Sequence, residues 1–105
     1  MNTNTIEEAI QDYKDGKFVI IVDDEDRENE GDITIAADFI TPDKVNFMAL
    51  NARGLICVAT SSSILEKLKI PLMVEESNDS NYTAFTVSVD FIPETTTGIS
   101  AEDRS

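Results

Sequence analysis

Histidine is absent from the 105 residues, and cysteine occurs once, at Cys57. The first absence removes the commonest near-neutral acid–base group and the commonest transition-metal ligand, so any chemistry must rest on carboxylates and hard cations. The second excludes an internal disulfide and makes a cytoplasmic location the default. Basic residues are scarce: eight Lys and Arg stand against twenty-one Asp and Glu, a net charge of −13. That balance opposes phosphate backbones and anionic lipid unless a local basic patch intervenes, and the sequence has none, so nucleic acid and membrane are not expected partners. No apolar stretch approaches the ~20 residues of a membrane span. The polar start MNTNTIEEA lacks the basic and apolar regions of a signal peptide.

What is present suffices for one domain with a modest core, since 41% of the residues are hydrophobic. Thr5 and Glu8 make a capping-box pattern, Ile6, Ala9, Ile10 and Tyr13 share one helical face, and Gly16 closes the pattern, which predicts a helix over 5–15. Phe18 to Val22 is unbroken and β-branched, the pattern of a strand buried on both faces. Ile33 and Ile35 point to a second strand, and Thr41-Pro42-Asp43 opens a helix ending near Gly54. Leu55 to Thr60 reads as another buried strand, and Ser63 with Glu66 marks a short helix limited by Pro71. From Thr83 to Phe91, apolar Phe85, Val87, Val89 and Phe91 alternate with Thr86, Ser88 and Asp90, which predicts a strand with one wet face; the preceding ESNDSNY is a polar loop. Ser100 with Asp103 looks like the first turn of a helix, two residues before the sequence stops, which suggests a piece of something longer. The fold class is α/β in the mixed α+β sense, a mixed sheet with flanking helices.

Seven carboxylates crowd into the ten residues from Asp23 to Asp32, and Arg27 alone cannot neutralise them. A charge run is commonly a solvated surface. This one leaves the end of an apolar strand, where open α/β sheets place ligands, and is therefore expected to face a concavity or a neighbouring subunit. A calcium loop fits poorly: Asp26, Glu28, Glu30, Gly31 and Ile33 imitate an EF-hand, but position twelve is Ala37 and a strand precedes the loop. A Mg²⁺ site asks only for one or two carboxylates with water and substrate oxygens, which the loop can supply. Crowding also raises the proton affinity of some of these acids, so that one can act as an acid while another stays a base.

DDEDRENEGD, followed in order by RGLIC, PLMVE, TAFTVSVD and TTGISAEDR, resembles the 3,4-dihydroxy-2-butanone-4-phosphate synthases of riboflavin biosynthesis, especially the form fused to a GTP cyclohydrolase II domain in bifunctional bacterial proteins. The segments cover nearly the whole chain, and the resemblance makes residues 1–105 the N-terminal portion of such a domain. It implies conversion of D-ribulose 5-phosphate into L-3,4-dihydroxy-2-butanone 4-phosphate and formate, with Mg²⁺ or alternatively Mn²⁺, by a homodimer whose sites lie at the subunit interface. It implies Glu28 as a metal ligand beside the substrate, Arg27 and Asp32 as substrate holders, Asp23 and Glu25 in proton transfer, Cys57 lining the site and Thr83 touching substrate. By composition alone Cys57, between Ile56 and Val58, is a buried small hydrophobe, and a strand threonine such as Thr83 is structural. Arg53 and Arg104 read as surface or helix-end charges.

Members of that family carry, later in their sequence, an Arg-x-Gly-His-Thr segment that grips the substrate phosphate and gives the metal a histidine. Neither is present in these 105 residues. The chain by itself is therefore expected to be catalytically silent and to expose strand edges. A reading of a different class is a non-enzymatic acidic fragment that binds divalent cations or associates with copies of itself.

Overall fold

Thr5 starts the first helix, α1 (Ile6–Lys14), by the expected reciprocal cap. Its hydroxyl accepts from the Glu8 N–H at 3.2 Å, and the Glu8 carboxylate accepts from the Thr5 N–H at 2.8 Å. Gly16 then turns the chain at φ 70°, and a Cβ there would stand 2.7 Å from the Phe39 ring, so both conformation and space demand glycine. The computed structural model describes residues 3–76, 78 and 83–105. They divide into two units, Met1–Ile56 with Thr96–Ser105, and Cys57–Thr95.

In the first unit, β1 (Val19–Val22) pairs antiparallel with β2 (Gly31–Thr34), Val19 facing Thr34 and Val22 facing Gly31. The Tyr13 hydroxyl on α1 hydrogen-bonds the Thr34 hydroxyl, which donates to the Val19 carbonyl at 2.9 Å and so ties the helix to the hairpin. After a 3₁₀ turn (Ala37–Phe39) comes α2 (Pro42–Asn51), where the Thr41 hydroxyl accepts from the Lys44 N–H at 3.3 Å and proline occupies the first turn. Lys44 reaches back to donate to the carbonyls of Phe39 at 2.8 Å and Gly16 at 3.3 Å. Phe47 of α2 stacks on Phe18 with ring centroids 5.0 Å apart, and Val45, 2% exposed, is the one buried hydrophobe among the described residues. The terminal turn, α4 (Ala101–Arg104), is capped by Ser100 and packs on α2.

In the second unit, α3 (Ser62–Leu68) ends at Lys69 in the left-handed region, φ 55°. Leu72 forms an isolated antiparallel bridge to Thr86, with Met73 N–H donating to the Phe85 carbonyl at 2.9 Å and Val87 N–H to the Pro71 carbonyl at 3.1 Å. No helix among the described residues is long and apolar enough to cross a membrane.

Several expectations need correction. Leu55 to Thr60 is not a strand, and the predicted strand over 83–91 is reduced to the bridge at Thr86. β1 is present but bare, with Ile20, Ile21 and Val22 all exposed. Cys57 is likewise exposed and free. The two missing strands have no ladder partner beyond one bridge among the described residues, whereas β1 is paired with β2 and, like Cys57, is exposed for want of a covering layer. The cap of α3 is Ser61, not Ser63, and α2 stops at Asn51, where Arg53 rather than Gly54 takes the left-handed turn. The loop ESNDSNY lies mostly outside the described residues.

Candidate functional site

The turn between β1 and β2 is the acidic stretch, and its closure is made by its own first residue. Asp23 directs one carboxylate oxygen to the Glu30 N–H at 2.8 Å and the other to the Glu28 N–H at 2.9 Å. Between those two amides Asn29 adopts φ 51°, a conformation asparagine tolerates better than most residues, so that both N–H groups converge on one anion. Arg27 Nη1 adds a third contact, 3.2 Å from the same Asp23 oxygen, and Nη2 lies 3.9 Å from the Glu28 carboxylate. The N–H groups of Glu30 and Glu28, and more weakly the Arg27 charge, hold the Asp23 carboxyl below its ordinary value. For this acid the shift is opposite to the rise expected from crowding, because the donated N–H bonds outweigh the opposing desolvation.

The arrangement therefore separates the candidates. Asp23, Arg27 and Glu28 are brought together; Glu25 and Asp32 lie on the same hairpin with exposed side chains. Cys57 and Thr83 belong to the other unit, Cys57 exposed and Thr83 half-buried. Beside the expectation of a concavity, Asp24, Glu25, Asp26, Glu30 and Asp32 are exposed along the loop. A shallow cavity of about 510 Å³ is lined instead by Ser62, Leu65, Glu66, Lys69, Ile70, Pro71 and Leu72, none of them a predicted site residue. The anchoring role of Asp23 and the left-handed Asn29 were not anticipated; the signal for both is an aspartate at the mouth of a turn followed by Asn-x-Gly.

Mg²⁺ takes hard oxygen donors in an octahedron and commonly keeps several waters. Glu28 supplies such a donor, its side chain 33% exposed at the tip of a braced turn. Among the described residues no three carboxylate or cysteine side chains converge on one point. The donor chemistry thus fits magnesium, and the number of donors fits only a water-rich, partly built position.

The profile of 3,4-dihydroxy-2-butanone 4-phosphate synthase matches residues 7–105, and the chain belongs to that family. It is 58% identical over 105 residues to the 3,4-dihydroxy-2-butanone 4-phosphate synthase of Agrobacterium fabrum, covering 100% of this chain and 49% of that protein. It is also 58% identical over 104 residues to the riboflavin biosynthesis protein RibBA of Synechocystis sp., covering 97% of this chain and 19% of that one. A crystal structure of a 3,4-dihydroxy-2-butanone 4-phosphate synthase in complex with two magnesium ions superposes with a TM-score of 0.91 at 45% identity, over 97% of this chain and 48% of its own. The cation-free form of such a synthase gives 0.85 at 44% identity, over 98% and 47%. The α/β fold class read from the sequence is that of these neighbours. The chain spans about half the length of the synthases it matches and corresponds to their N-terminal part.

Proposed function

We propose that the chain supplies the acidic-loop half of a 3,4-dihydroxy-2-butanone 4-phosphate synthase site, acting in riboflavin biosynthesis on D-ribulose 5-phosphate to give L-3,4-dihydroxy-2-butanone 4-phosphate and formate. The observation that carries this reading is the family match along residues 7–105, which includes a loop that sets the Arg27 guanidinium beside the Glu28 carboxylate. Product and formate together contain the atoms of the substrate, so the conversion needs no oxidant: protons move, a water is lost and regained, and a carbon skeleton migrates.

Each loop residue then has a task suited to its environment. Asp23, which accepts the Glu30 and Glu28 N–H groups, anchors the turn and keeps lone pairs to take part in proton transfer. Glu25 extends from the turn with an exposed carboxylate free to exchange protons with a substrate hydroxyl or carbon acid. Asp32, on β2, accepts hydrogen bonds from sugar hydroxyls, and Arg27 offers its planar donors to substrate oxygens. Glu28 holds Mg²⁺, or Mn²⁺ in its place, which when bound stabilises enolate oxygens as a Lewis acid. Cys57 and Thr83 line the substrate position. A homodimer working in the cytoplasm completes the reading.

The test is formate release from D-ribulose 5-phosphate by this chain joined to the remaining half of the Agrobacterium synthase. Activity is expected, with a drop of about 100-fold or more in Glu28→Gln. A folded joined protein that releases no formate would refute the proposal.

A further inference from the structure

We infer that Asn29 is a positioning residue for Glu28 and Arg27: its left-handed backbone, not its carboxamide, sets the metal ligand in place and so governs Mg²⁺ affinity. The inference deepens the proposed function and rests on Glu28 holding the metal.

The loop is closed by its first and last residues. The Asp23 N–H donates to the Glu30 carbonyl at 3.3 Å, and the Asp23 carboxylate accepts from the Glu30 N–H at 2.8 Å. Next to them stands the ladder pair of Val22 and Gly31, so both feet of the loop are fixed and its tip is not. Within the tip the Arg27 N–H donates to the Asp24 carbonyl at 3.0 Å, which makes a turn over 24–27. Asn29 is the one loop residue with a positive φ, and it lies between Glu28 and the fixed foot. The Glu28 N–H donates at 2.9 Å to the same Asp23 oxygen that Arg27 Nη1 approaches at 3.2 Å. One torsion thus sets where Glu28 leaves the foot. Carrying Asn29 from φ 51° to the right-handed value near −63° turns the chain on the Glu28 side through roughly 110°. Mg²⁺ holds its oxygens at ~2.0–2.1 Å in near-ideal geometry, so a carboxylate displaced by about an ångström is lost as a ligand.

The residue type points to the backbone as the source of this control. Left-handed φ occurs at two other non-glycine residues, Arg53 and Lys69, each just past a helix. At Lys69 the helix end compensates: the Lys69 N–H donates to the Glu66 carbonyl and the Ile70 N–H to the Leu65 carbonyl. Asn29 has no helix behind it, and asparagine bears this conformation more readily than most residues with a side chain. No hydrogen bond joins its carboxamide to another of the described residues.

The experiment compares Asn29→Gly, Asn29→Ala and Asn29→Val in the joined protein. Mg²⁺ affinity is read by titration calorimetry without substrate, and formate release is followed across a range of Mg²⁺ concentrations. The expected order follows left-handed preference and not polarity. Asn29→Gly keeps Mg²⁺ affinity within about threefold, Asn29→Ala loses about fivefold and Asn29→Val about tenfold or more. A conformational cost that precedes binding raises the apparent Kd by the missing population, so excess Mg²⁺ restores kcat in Asn29→Val. Glu28→Gln, which lacks the ligand, is not restored. Lys69→Val places a like backbone cost at the end of α3; it lowers the denaturation midpoint and leaves Mg²⁺ affinity unchanged. If Asn29→Gly binds Mg²⁺ as weakly as Asn29→Val, the carboxamide itself makes the contact and the inference is overturned. Equal affinity across the series, or an equal loss in Lys69→Val, overturns it as well. Where Asn29→Val does not fold, Asn29→Ala against Asn29→Gly decides. The two readings fail separately: a joined protein that releases no formate counts against the function, while the Mg²⁺ affinities of the series still decide the role of Asn29.

Discussion

A carboxylate that receives two backbone N–H groups has its charge answered within the loop, and Asp23 is such a group. Its lowered pKa means the folded state binds a proton less readily than the unfolded chain. The stabilisation is therefore complete above the ordinary carboxylate range and is lost as pH falls through the depressed value. Asp103 behaves alike: its oxygens accept from the Thr96 N–H at 3.0 Å, the Thr96 hydroxyl at 2.8 Å and the Gly98 N–H at 2.9 Å, which holds its carboxyl low. We expect the amides of Glu28, Glu30, Thr96 and Gly98 to lose protection together as the solution is acidified below about pH 4, measured by hydrogen exchange. Asp23→Asn should remove the pH dependence of the first two while leaving that of Thr96 and Gly98. Persistent pH-dependent protection at Glu28 in that variant would show that another acid closes the turn. Gly16→Ala, forced into the left-handed region against Phe39, should cost about 1–2 kcal/mol or more in denaturant titrations.

At the level of elements, the signals that proved legible act over a few residues. Thr5 with Glu8, Thr41 before Pro42, and Ser100 with Asp103 each named a helix start, because a cap is a hydrogen bond between neighbours in sequence. Thr5→Ala should accordingly destabilise the first unit by about 1 kcal/mol and Val45→Ala by about 2 kcal/mol, both readable as shifts in the denaturation midpoint. Leu55 to Thr60 and Phe85 to Phe91 carry equally clear apolar patterns but do not form strands of comparable extent. Periodicity reports that a segment can be buried; it does not supply the partner that pairs it. The same limit governs the site. The acidic loop, with Arg27 and Glu28 at its tip, was legible from charge and position, whereas the anchoring by Asp23 depended on Asn29 taking φ 51°, which composition does not announce.

For the molecule as a whole, the chain spans about half the length of the synthases it matches. Assayed by itself, the 105-residue chain should release no formate above background, since it spans 49% of the Agrobacterium synthase and has no histidine to join Glu28 at a metal. The central claim is that the loop from Asp23 to Asp32 faces a divalent ion and a sugar phosphate, and paramagnetic relaxation by Mn²⁺ in the joined protein tests it most directly. The account predicts that substoichiometric Mn²⁺ broadens the amide resonances of Arg27 to Glu30 first, that Mg²⁺ reverses the broadening, and that Glu28→Gln abolishes it. Broadening spread evenly over the acidic surface, or unchanged in Glu28→Gln, would contradict it.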